Sequence, residues 1–155
     1  MDVFLFVNRY VLILSSILWA GFSITLGFFL IPLIAKKDIP EIKVLVFNIL
    51  RTYRRVMYIC WILMLGTSLV EYFIIHAISN FENVCQSLII SGLAVFTLHI
   101  IWSIYLLSIA KKNEYNPLAM TERDMRILVG GSYFNNFLII SIILIYAIVE
   151  MMFHL

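Results

Sequence analysis

Four long apolar stretches dominate the sequence: Tyr10–Ile34, Val56–Ile78, Val84–Ile109 and Ile127–Val149. A helix rises 1.5 Å per residue, so about 20 mainly apolar residues cross about 30 Å of hydrocarbon. Each stretch meets that length. Transmembrane strands would be shorter and would alternate apolar with polar residues. The pattern predicts an all-α membrane protein, a four-transmembrane-helix up-down bundle within a single domain. The first stretch outruns a signal-peptide core and no small-residue cleavage site follows it, so it is expected to be retained.

Composition agrees. The chain is 63% hydrophobic and 13% charged, with a mean hydropathy of +1.03. An average soluble domain is about 45–50% apolar and about 25% charged. A net charge of only +2 leaves no basis for nucleic-acid binding.

The basic residues set the orientation. Lys36, Lys37, Lys43, Arg51, Arg54 and Arg55 fall between the first and second stretches, and Lys111, Lys112, Arg123 and Arg126 between the third and fourth. Of the 11 Lys and Arg, only Arg9 lies on the other side. The positive-inside rule then makes both basic connections cytoplasmic and places both termini outside, in a cell or cytoplasmic membrane. The same residues suit anionic lipid headgroups.

The cytoplasmic connections read as helical. Asp38-Ile39-Pro40-Glu41 carries a capping acid and an early proline, and Ile42, Leu45, Val46, Ile49, Leu50 and Tyr53 follow at helical spacing. The second helix is therefore predicted to start near Ile39 and to run about 60 Å to Ile78, projecting into the cytoplasm. Asn116-Pro117 breaks the other connection, and Thr121-Glu122-Arg123-Asp124 starts the fourth helix, which extends inward too. The short outer loop Ser79–Asn83 implies that helices two and three are antiparallel neighbours.

Helix packing in lipid relies on small residues and on polar side chains that bond across helices. Ser16, Ala20, Gly21, Ser23 and Gly27 serve in the first helix, Gly66-Thr67-Ser68 in the second, and Ser87, Ser91 and Gly92 in the third. Counted at 1.5 Å per residue from the outer ends, His99, Met64, Thr25 and Asn135 (or Asn136) fall at one depth, about 22 Å in. They are expected to share a polar layer in the cytoplasmic half. It would be a structural set built on a neutral histidine, a haem or copper ligand pair of His99 and Met64, or a proton-handling site.

A second layer is expected near the outer surface. Glu71 lies about 10 Å inside the second helix, and Arg9 could clamp it or Glu150. Glu150 and His154 are four apart, hence on one helical face, and with His76 or Glu82 could hold a metal. His76 is too far from the His99 layer for the two to share a haem iron. Cys60 and Cys85 sit at different depths, which excludes a disulfide within the chain. No phosphate loop, Cys-x-x-Cys, His-Glu-x-x-His or Gly-x-Ser-x-Gly sequence occurs.

Ile17-Leu18-Trp19-Ala20-Gly21-Phe22, followed by Phe28-Phe29 and Pro32, resembles the first helix of CopD-like membrane proteins, to which the HemJ-type protoporphyrinogen oxidases are similar. Arg51-x-x-Arg54-Arg55 and Gly66 resemble the start and middle of that family's second helix. The resemblance implies a four-helix scaffold that carries haem or copper chemistry. Two residues depart from it: Leu12 stands where the family's first-helix histidine is expected, and Gln86 where a lysine is expected. A member without those residues would keep the scaffold and lose the redox site.

Three functions stay open. The chain is a non-catalytic accessory or scaffolding subunit, packed against other integral membrane subunits of a respiratory or copper-enzyme complex or against its own copies. Alternatively it is a haem- or copper-binding redox protein centred on His99 and Met64. The third is a small transporter or channel that uses Glu71 and the His99 layer.

Overall fold

The computed structural model describes residues 3–36, 39–78 and 83–154, with their side chains except those of residues 5, 71–78, 83–86, 150 and 152–154. The described residues are almost all helical and include no strand. The first rod is α1 (Val3–Thr25), a π-helical turn (Leu26–Leu30) and α2 (Ile31–Lys36). The others are α3 (Pro40–Ile78), α4 (Asn83–Asn113) and α5 (Glu122–His154), with a 3-10 turn (Pro117–Ala119) between the last two. Among the described residues, three segments, Phe6–Lys36, Ser87–Asn113 and Glu122–Val149, are long and apolar enough to cross a membrane.

Local chemistry sets the helix starts. Pro40 opens α3, where its missing N–H costs nothing. Asp38, the expected cap, lies outside the described residues. At α5 the Thr121 hydroxyl accepts the Asp124 backbone N–H at 3.2 Å, capping the helix as its sequence predicts. Asp124 in turn accepts bonds from Lys112 and Asn113, which ties the start of α5 to the end of α4.

α1 packs chiefly on α3, and α4 on α5. Asn8 donates to the Thr67 carbonyl and Ser23 meets Tyr53, so α1 and α3 run in opposite directions. Lys112 reaches Asp124 at one end and Ser103 donates to Asn135 further along, so α4 and α5 also run in opposite directions. Among the described residues, contact between α3 and α4 is thinner than a short connection between them implies.

The beginning of α3 does not project alone. Its stripe of Val46, Phe47 and Leu50 is buried against Ile34, Ile109 and Leu128. The reason is that its neighbours extend just as far: the first rod reaches Lys36, α4 reaches Asn113 and α5 begins at Glu122. This cluster forms the core at the basic end. A second cluster, with Leu12, Trp19, Trp61, Met64, Phe96 and Ile139, fills the rest. Leu12 is 4% exposed there, an apolar core residue.

Candidate functional site: the His99 layer

Helical spacing places polar side chains on inward faces. Trp19 and Ser23 lie one turn apart on α1, and His99 and Ser103 on α4. Ser132, Asn135 and Asn136 are three and four apart on α5. All seven are buried. Of the residues expected in this layer, His99, Asn135, Asn136 and Met64 are buried as predicted. Thr25 is not part of it: it is exposed, because two residues beyond Ser23 is about 200° further round the helix.

At the centre, Trp19 Nε1 donates to His99 Nε2 at 2.9 Å. An indole N–H can only donate, so Nε2 is the acceptor and the neutral ring carries its proton on Nδ1. Aromatic rings enclose the imidazole. Phe96 stacks on it at 6.2 Å between centroids, and Trp19 and Trp61 present edges at 5.0 and 6.0 Å. Ser103 Oγ donates to Asn135 Oδ1 at 2.8 Å and lies 3.4 Å from Nε2. Nearer the basic end, Ser23 and Tyr53 share a 2.7 Å hydrogen bond.

The π-helical turn meets α5 at close quarters. Ser132 Oγ lies 3.2 Å from the Gly27 carbonyl oxygen and donates within reach of the Val129 carbonyl as well. A Cβ on Gly27 would fall 2.5 Å from Asn136 Nδ2, so only glycine lets the Asn136 amide rest on this backbone. Asn136 is fully buried, and neither end of its amide bonds to a protein group. The same holds for His99 Nδ1 and Trp61 Nε1.

A haem iron or a copper ion would need a free imidazole lone pair. Nε2 has spent its own on Trp19 and Nδ1 bears the proton, so His99 as placed does not fit either group. Among the described residues, no three His, Cys, Asp or Glu come together to hold a metal. The side chains of the proposed outer metal set, Glu150, His154 and His76, and those of Glu71 and Glu150 as partners for Arg9, lie outside those described. Cys60 is a buried free thiol.

Sequence reasoning missed Trp19, Ser23, Ser103 and Ser132 as members of this layer. A donor-only indole in mid-span was the available signal for Trp19, since a buried Trp N–H usually finds an acceptor. No family model, curated protein or solved structure matches the chain.

Proposed function

We propose that the chain crosses the bilayer four times, with the basic end cytoplasmic and both termini outside, and serves as a non-catalytic subunit of a larger membrane assembly. One observation carries the reading. Gly21, Gly66 and Gly130 face outward with nothing within 4 Å of where a side chain would begin. Glycine in mid-helix costs about 0.5–1 kcal/mol relative to alanine, so a chain that gained nothing there would favour a larger residue. In lipid, small residues lie where another helix backbone comes close. Around them stand exposed Ile17, Phe22, Ile62 and Phe134.

The interior supports the same reading. Its polar groups bond mainly to one another across helices, as structural polar residues in a membrane core do. The excess of Lys and Arg at one end supports the orientation.

Native mass spectrometry of the chain ejected from its own membrane is the test. A stoichiometric complex with another integral protein, or a defined homo-oligomer, is expected. A stable monomer with no companion overturns the proposal.

A further inference from the structure

A cavity of about 40 Å3 lies beside the His99 layer. Its polar lining is Ser23, Tyr53, Ser103, Ser132 and Asn135, with the backbone of Gly27. Every lining position lies on the basic side of the Trp19–His99 bond: 23–31 in the first rod, 50–53 in α3, 103–110 in α4 and 128–135 in α5. On the other side, Leu12, Met64, Phe96 and Ile139 form an apolar cluster with Trp19 and Trp61. The hydroxyls and the amide thus face a pocket whose other walls are apolar, Leu26, Leu50, Leu106 and Leu128 among them.

We infer that this cavity is a water-binding site, bounded on the side of the Trp19–His99 hydrogen bond by the apolar cluster. The size fits water and little else. One water needs roughly 10–15 Å3 of such space, so the cavity takes about three molecules. The chemistry fits as well. A buried water makes two to four hydrogen bonds, and the lining offers hydroxyls, a primary amide and the Gly27 carbonyl from all four rods, with no charged side chain.

Asn136 gives independent support. Its amide is wholly buried, unpaired at both ends and seated on Gly27, which lines the cavity. Buried polar groups that no protein group satisfies are where ordered waters are held. The π-helical turn carries Gly27 against α5 without the usual side-chain spacing. Such turns in helices recur at functional positions.

The test is water-edited NMR on the full labelled chain in lipid bilayers. Water magnetisation is expected to reach the Asn135 and Asn136 side-chain amides and Ser103 at least tenfold faster than Trp61 Nε1–H and the Ile139 amide. Equal, slow transfer at all five overturns the site by showing a dry core. Equal, fast transfer at all five overturns the apolar boundary. Ala110→Leu, which places a larger side chain in the cavity wall, should abolish fast transfer at Asn135 while the rest of the amide spectrum is kept. The wild-type comparison decides the question even if that variant does not fold.

Discussion

Trp19 and His99, 80 residues apart in sequence, are joined by a 2.9 Å hydrogen bond that fixes the imidazole's tautomer and links α1 to α4. Trp19→Phe keeps an aromatic ring and removes the donor, leaving Nε2 buried with only the Ser103 hydroxyl, 3.4 Å away. An unsatisfied buried acceptor costs about 1–3 kcal/mol, while bonds inside lipid average nearer 0.6. Trp19→Phe should therefore lose about 1–2 kcal/mol in reversible unfolding from mixed micelles. His99→Phe combined with it should cost less than the two single losses added, with a coupling of about 1 kcal/mol. Strict additivity would mean that the bond contributes nothing.

Gly27 and Asn136 make a sharper steric pair. Gly27→Ala puts a methyl 2.5 Å from an amide that is 0% exposed and has nowhere to retreat. Overpacking of this kind costs about 1–3 kcal/mol. Asn136→Ala in the same chain should recover most of it. Gly131→Ala is the control: its Cβ meets the Leu106 Cδ2 at 2.5 Å, the free end of a side chain that can turn. Melting temperatures of the four proteins should rank with Gly27→Ala lowest.

Axial position was legible in the sequence, and rotation about the axis was not. A rise of 1.5 Å per residue predicted His99 and Asn135 at one level, and Ser103, one turn from His99, does bond Asn135. Whether Thr25 or Ser23 faces inward depends on about 100° per residue, and on which face of α1 the neighbours take. That choice is made by tertiary packing, through Trp19 reaching His99 and Ser23 reaching Tyr53. The apolar stripe from Ile42 to Tyr53 was equally plain, but what it packs against was not. Only the joint extension of the first rod, α4 and α5 turns that stripe into core. The π-helical turn has no sequence signal stronger than Gly27, and so the cavity beside it had none.

Glu114 accepts from Arg51 Nε at 2.8 Å and from Arg54 at 3.1 Å, fastening the end of α4 to α3 beside their shared apolar core. Its side chain is 9% exposed and that of Arg54 is 19% exposed, so water screens this pair poorly. Glu114→Ala should cost about 1–2 kcal/mol, above the ~0.2–1 kcal/mol of open surface pairs and below a fully buried one. The Glu122–Arg126 pair, 80% and 77% exposed, is the comparison. Glu122→Ala should change stability by less than about 0.5 kcal/mol, and raising the salt should shrink both effects.

Gly21 and Gly66 separate stability from assembly. Nothing approaches the Cβ position at either, so alanine meets no clash within the chain. Better helix propensity should then raise the stability of the isolated chain by about 0.5–1 kcal/mol per site. Leucine at the same positions would hold a neighbouring helix away, since close approach in lipid depends on the small residue. Gly21→Leu and Gly66→Leu should therefore leave unfolding of the isolated chain near wild type while reducing recovery of the native complex at least fivefold. Full recovery with leucine at both sites would show that these glycines face lipid alone, and the proposed contact surface would have to be given up.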